Sequence, residues 1–401
     1  MKTEHNNKGP LSGIKVLDLS RILAGPWSTQ VLADYGATVW KIERPERGDD
    51  TRQWGPPFLK NAAGEDTSDS AYYLSANRGK QSITADIAST EGQTFIKALV
   101  KEADIVVENF KVGGLKRYGL DYESLKAVNP SIIYCSITGF GQTGPYAEQA
   151  GYDAMIQAMG GLMSITGEQA NLPGGDPQRV GVAVADLMTG MYAVSGILAA
   201  LHHRNNTGEG QHIDIALLDT MVAFLANQGS NYLVSGEPPT RMGTAHPNIV
   251  PYQAFAVKDG HILLAVGNDN QFKKCCEVMG VAELAEDSLY ATNASRVEHR
   301  ENLVLILSNI LKTKVLDEWL TLFNDANVPC GPINTLDRVF ENPQVIHRNM
   351  QFSLSHPEAG QVPLVANPVN FSVTKTKYHQ APPTLGQHTE AIKTWLSSKD
   401  E

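Results

Sequence analysis

The chain has 401 residues, 42% of them hydrophobic and 19% charged, with a formal net charge of −10. That is the composition of a globular chain able to bury one large core and a smaller one. It argues against a general binder of nucleic acid or of an anionic membrane, so any anionic ligand has to be held by a local cluster of basic residues.

Residues 1–10 read as a loose tail. Residues 14–19 form a buried apolar run, Gly25-Pro26-Trp27 opens a helix carrying Val31 and Leu32, and 37–42 is the next strand. This βαβ pattern requires a parallel sheet. The first turn, Ser20 to Pro26, is not the glycine-rich cradle of a dinucleotide site, which argues against a nicotinamide cofactor there. Arg44 closes the second strand, where an open sheet binds ligands and a guanidinium suits phosphate. The stretch 45–70, rich in Pro, Gly and Asp, is expected as an exposed, mobile loop.

A helix is expected over 90–102 and a strand over 104–108, ending in Asn109-Phe110. Lys111, Lys116 and Arg117 follow beside glycines, and with Arg44 and Lys80 they make a candidate polyanion-binding rim; the alternative is a solvated basic face. The strand 131–138 runs into Gly139-Phe-Gly-Gln-Thr-Gly144, read as a close-approach loop at a ligand edge. Further helices are expected at 152–159 and 218–233, with a strand at 212–216 between the second of these and the apolar run that ends near Leu201. Composition shifts near Ser235. A smaller unit follows, with two strands at 252–257 and 262–266 and helices near 271–280, 297–311 and 315–325. Strand-type alternation at 361–373 and a terminal helix through Trp395 return to the first unit.

Chemistry concentrates at Asp186. It stands in Arg179 to Gly190, just before or at the start of an apolar helix running through Met188, Met191, Val194, Ile197 and Leu201. The helix N-terminus favours the ionised form while apolar neighbours strip its water, which leaves a poorly solvated anion and candidate nucleophile. The plain alternative is an N-cap that satisfies backbone donors. The chain has no G-x-S-x-G elbow, no H-E-x-x-H, no P-loop and no paired cysteine motif. Cys135, Cys275, Cys276 and Cys330 have no zinc spacing and read as free thiols. The N-terminus is polar, and no apolar run approaches the ~20 residues of a membrane span. The expectation is a cytoplasmic protein without metal, membrane or nucleic-acid partners.

Residues 11–26, 41–45, 108–110, 137–145, 184–186, 328–332 and 385–389 together resemble, in order and across nearly the whole chain, the class III CoA-transferase family, that of formyl-CoA transferase and carnitine CoA-transferase. The resemblance implies an α/β fold: a Rossmann-like parallel-sheet large domain (1–220 and 335–401), a small α+β domain (235–330), linkers at 221–234 and 326–340, and an interlocked-ring homodimer. It makes Asp186 the residue that forms acyl-aspartyl anhydride and aspartyl-CoA thioester intermediates. It places coenzyme A contacts on Ile22, Leu23, Arg44, Asn109, Phe110, Arg117 and Phe140. A coenzyme A thioester is then a substrate, and no cofactor is tightly bound.

Some positions depart from the family pattern. The turn Gly267 to Gln271 stands where formyl-CoA transferase carries a run of glycines, which argues against formyl or oxalyl specificity. Thr138 and Phe140 stand where the family has a lysine and a tyrosine. Racemases of the superfamily carry Gly-His-Asp where this chain has Gly151-Tyr-Asp153, and a phenol is a poor base at neutral pH. Residues 241–255 and Trp54 to Pro57 are similar to the succinyl-CoA:glutarate or hydroxymethylglutarate branch. A dicarboxylate acceptor calls for a cation, for which Arg241 and His246 are the candidates; the alternative for both is a structural role in their loop. Two other readings stay open, a 2-methylacyl-CoA racemase and a non-catalytic CoA-binding protein.

Overall fold

Strands β1 (Lys15–Asp18) and β2 (Thr38–Glu43) are apolar runs whose side chains are buried on both faces, as in the middle of a parallel sheet. Helix α1 (Ala24–Asp34) crosses between them, and they pair in parallel from Lys15 opposite Thr38 to Asp18 opposite Lys41. The structure, a computed structural model, describes residues 9–399.

The stretch 45–70 is exposed or half-buried over 53–68, as expected, but it is not a structureless loop. It holds a short 3-10 turn, Asp50–Gln53, and a small antiparallel pair, β3 (Phe58–Lys60) and β4 (Asp66–Ser70). Buried Arg52 bonds Glu43 at 2.7 Å, pairs with Asp69, and donates to the Tyr73 hydroxyl of α2 (Ala71–Ser75) and the carbonyl of Pro383. Charges that composition assigns to solvent are here the packing of the segment.

β5 (Lys80–Thr84), α3 (Thr90–Glu102), β6 (Ile105–Glu108), α4 (Tyr122–Lys126) and β7 (Ile133–Thr138) follow. Lys80 belongs to no basic rim. It is buried in β5 and pairs with Asp18 at 3.0 Å. After α5 (Asp153–Met159) and α6 (Leu162–Ile165) come the long α7 (Val184–Thr207) and β8 (His212–Ala216). Residues 221–234, expected as a linker, are helical. The expected single helix is two, α8 (Leu217–Phe224) and α9 (Ala226–Ser235), broken where Ala226 takes φ +46°.

α7 has the length and apolarity of a membrane span, averaging a hydropathy of 1.6 over its most apolar window, contrary to the expectation that no run comes near it. Its many small residues explain both the score and the packing. A Cβ on Gly190 would come within 2.7 Å of the Ala24 carbonyl of α1, so the two helices touch backbone to backbone.

The six-stranded sheet is parallel throughout, in the order β5-β2-β1-β6-β7-β8. It belongs to a unit made of the chain up to residue 162, 180–235, and 343 onward. Residues 163–179 and 236–342 make the other unit. There β9 (Tyr252–Val257), β10 (Gly260–Ala265) and β11 (Cys330–Pro332) form an antiparallel sheet. Helices α10 (Asp269–Met279), α11 (Asn293–Glu298), α12 (Arg300–Leu311) and α13 (Leu316–Asp325) build a core on it around Phe272, Leu307 and Trp319, and α14 (Leu336–Glu341) follows β11.

Back in the first unit, α15 (Pro343–His347) precedes the hairpin β12 (Gln351–His356) and β13 (Gly360–Val365), and α16 (Thr389–Ser397) ends the described chain. The expected alternation to 373 stops at Val365, before Pro368. The segment before α16 straps the β5 edge. Gly386 N–H donates to Ser82 Oγ at 2.8 Å, His388 N–H to the Ser82 carbonyl at 2.9 Å, and Thr84 N–H to Thr389 Oγ1 at 3.0 Å.

Candidate active site

The strand order turns around at β1, with β2 on one side and β6 on the other, so the carboxyl ends of β1 and β6 flank a crevice of the kind in which open parallel sheets bind ligands. The segments leaving those two ends are Ser20 to Leu23 and Asn109-Phe110. Arg21 to Leu23 and Asn109-Phe110 line an open cleft of about 680 Å³ that also takes in Arg117, Asp153 and Asp186.

Side chains hold both segments. Asn109 accepts from the Arg21 N–H at 2.9 Å and donates to the Arg21 carbonyl at 2.7 Å, a two-point clamp between the strand ends. Glu108 turns back to accept the Phe110 N–H at 2.8 Å, and burial pushes its carboxyl up to about 7. Ile22 stands at φ +72°, a conformation that costs a β-branched residue 1–2 kcal/mol or so. Its N–H is shared between the two oxygens of Asp49, each at 3.2 Å. Burial alone would raise the Asp49 carboxyl; Lys41 at 2.9 Å and the Thr51 donors overcome it and hold the carboxyl below its usual range.

Asp186 lies in the first turn of α7, and the capping role is not its own. Asp153 takes it, accepting the Ala185 N–H at 2.9 Å with one oxygen and the Gln157 amide at 2.8 Å with the other. The Asp186 carboxyl has no hydrogen-bond partner among the described residues. Burial, then the charge of Asp153, pushes it up to about 7. Tyr72 stands in the same field, its phenol pushed up to about 12 by burial and then by Asp186 and Asp153, with Trp54 edge-on to its ring at 5.2 Å. Gly139 and Gly151 meet on the cleft wall, where a Cβ on Gly139 would lie 2.6 Å from the Gly151 Cα.

Ile22, Leu23, Asn109, Phe110, Arg117 and Asp186 thus share one cleft. Arg44 lines an adjoining hollow with Arg21 and Phe110, and pairs with Asp50 at 3.1 Å while half exposed. Phe140 is not among the cleft's lining residues; its ring meets Tyr146 edge-on at 5.5 Å. Arg241 and His246 lie in the other unit. Arg241 donates to the carbonyls of Gly175 and Ser164, and His246 accepts from the Asn248 N–H, with burial and then Arg300 pulling its imidazole below the usual range. No cluster of three His, Cys, Asp or Glu among the described residues is placed to hold a metal. Asp49 and Tyr72 are the site residues that the sequence does not disclose. Asp49 reads as one more acid in a polar loop, and nothing local links Tyr72 to Asp186 more than a hundred residues on.

A desolvated carboxyl beside a cationic rim suits nucleophilic or proton-transfer chemistry on an anionic ligand. Comparison with known proteins narrows this. The model of CoA-transferase family III matches residues 11–389. The succinate–glutarate CoA-transferase of Agrobacterium fabrum is 52% identical over 96% of this chain and 96% of its own length. The human succinyl-CoA:glutarate CoA-transferase is 46% identical over 98% of this chain and 87% of its own. A crystal structure of a CAIB/BAIF family protein from Brucella suis superposes with a TM-score of 0.84 at 51% identity, covering 97% of this chain and all of that one.

Proposed function

The chain belongs to CoA-transferase family III, and from that premise we propose that it carries CoA from succinyl-CoA to a second dicarboxylic acid, glutarate first among candidates, through covalent intermediates on Asp186. The activities of these relatives support the substrates. The position of Asp186, unbonded and open to the cleft that holds the expected coenzyme residues, is the observation that carries the mechanism.

In the first step a carboxylate oxygen of Asp186 attacks the thioester carbon and expels the CoA thiolate, giving a succinyl-aspartyl anhydride. The retained thiolate then attacks the aspartyl carbonyl and releases succinate, leaving an aspartyl-CoA thioester. The acceptor carboxylate attacks that carbonyl, the thiolate leaves again, and its return to the acceptor's acyl carbon frees the new thioester and restores Asp186. Three features of the site serve these steps. A carboxylate whose pKa is about 7 is more basic than an ordinary one and gives up little hydration on attack. Lys111 and Arg117, both on the cleft, meet the coenzyme's phosphates, with Arg44 in the adjoining hollow. Holding the thiolate in place gives it an effective concentration of ~10⁵ M or more against water.

Arg241 or His246 recognises the acceptor's far carboxylate. Arg241→Ala is expected to erase the preference for dicarboxylates over monocarboxylates, and unchanged relative rates would remove Arg241 from the role. The protein works as an interlocked homodimer in the cytoplasm. Supporting the first, Met191 and Tyr192 of α7 and Leu233 and Val234 of α9 are 37%, 47%, 82% and 89% exposed, an apolar surface that a second copy would cover. Supporting the second, Cys135, Cys275, Cys276 and Cys330 are all free.

Mass spectrometry after incubation with succinyl-CoA and trapping with hydroxylamine or borohydride tests the proposal. A modification is expected on the peptide containing Asp186 and absent in Asp186→Ala. No label, with solvent deuterium entering a 2-methylacyl-CoA, would replace it with racemase chemistry.

A further inference from the structure

We infer that Asp49, through its buried pair with Lys41, is a positioning residue for coenzyme binding: it holds Ile22 in the left-handed conformation that shapes the wall of the cleft into which Asp186 also opens. The inference rests on the coenzyme reading of Ile22 and Leu23 given above.

A left-handed isoleucine needs a restraint, since its Cβ crowds the following carbonyl. Side chains from other elements restrain this turn. Lys41 Nζ donates to the Ser20 carbonyl at 3.1 Å, Asn109 brackets Arg21, and Asp49 takes the Ile22 N–H on both oxygens. Asp49 is itself immobilised: Lys41 at 2.9 Å, Thr51 N–H at 3.0 Å and Thr51 Oγ1 at 2.8 Å occupy the same carboxylate, and its side chain is 1% exposed. Lys41 is fully buried beneath it. Among the described residues, Asp49 is thus the one whose side chain bonds the strained residue directly.

Were the carboxylate's charge removed, the bond to Ile22 would weaken and φ would relax toward negative values. A left-handed penalty of the usual size then depletes the binding-competent turn about tenfold, and apparent coenzyme affinity falls by the same factor. Glycine visits the left-handed region without penalty, so glycine at position 22 needs no such anchor.

The experiment compares wild type, Asp49→Asn, Ile22→Gly and the double variant, reading CoA binding by calorimetry and KM and kcat with succinyl-CoA. Asp49→Asn is expected to weaken CoA binding and raise KM about tenfold with a smaller change in kcat. Ile22→Gly gives up that side chain's own contact with the coenzyme and serves as the reference, and adding Asp49→Asn to it is expected to change binding by no more than about threefold. A loss in Asp49→Asn that persists in the Ile22→Gly background, or no loss at all, overturns the inference, because only an effect routed through φ of residue 22 is suppressed by glycine there. If Asp49→Asn does not fold, judged by circular dichroism, the pair Lys41→Met with Asp49→Asn removes the uncompensated buried charge and carries the same comparison. Failure of the wild type to bind CoA would be a failure of the coenzyme reading, visible before any variant is made.

Discussion

Replacing Asp186 by asparagine keeps the shape of the side chain and removes its titration, so the pair of proteins isolates what burial does to this carboxyl. In the folded protein the group is raised from 3.8 to about 7. The folded chain therefore keeps a proton that the unfolded chain has released, and the stability this confers is present below about pH 4 and lost as pH rises to 7. The loss runs at about 1.4 kcal/mol per pH unit, so from about pH 5 to 7 the wild type falls by at most about 3 kcal/mol relative to Asp186→Asn and then levels off. Urea denaturation of both proteins from about pH 5 to about pH 9 reads this difference directly, and constant offsets between Asp and Asn cancel. A difference independent of pH would make Asp186 an ordinary solvated carboxylate. A wild type that gains stability with pH relative to the variant would mean that the helix N-terminus outweighs desolvation.

The same titration controls the chemistry. The rate at which succinyl-CoA labels Asp186 is expected to rise about tenfold per pH unit below about 7 and then plateau; a flat profile down to about pH 5 would contradict a raised carboxyl. Asp153→Asn removes the neighbouring charge, so the midpoint of that profile moves to lower pH, and an unmoved midpoint would assign the whole effect to burial. Arg117→Ala is expected to raise KM for the acyl-CoA about tenfold at low salt and less at high salt, with kcat little changed; equal losses at both ionic strengths would speak against a phosphate contact. Arg52→Met leaves Glu43 and Asp69 buried without their cation and is expected to cost about 3 to 5 kcal/mol in urea denaturation, whereas a cost under about 1 kcal/mol would mean that water reaches the pair.

The parallel sheet is legible because its strands are short apolar runs set between helices, and the ends of β1 and β6 can be located once those runs are counted. Asp186 is legible because it is a lone acid entering an apolar helix. Other features are settled at long range. Asp49, Arg52, Asp69 and Lys80 look like solvated loop charges until the fold brings Lys41, Glu43, Tyr73 and Asp18 against them. The capping question at α7 is similar, since Asp153, 32 residues earlier, supplies the acceptor that a local pattern assigns to Asp186. The break at Ala226 has no glycine or proline to announce it. Arg44, Lys111 and Arg117 read equally as a rim or as solvated charge; the fold puts Lys111 and Arg117 on the cleft, Arg44 in the adjoining hollow and Lys80 inside the sheet.

The strap over β5 has a consequence for how the chain is made. Thr84 and Ser82 bond residues 305 and 304 positions later. At a translation rate of about 5 to 20 residues per second, the sheet edge waits roughly 15 to 60 seconds on the ribosome before its cover exists. During that interval an unpaired parallel edge and the buried cations behind it are open to solvent. A stop codon upstream of Pro383 would make that vulnerable stage permanent, so late truncations are expected to fail as aggregation in cells rather than as a loss of catalysis.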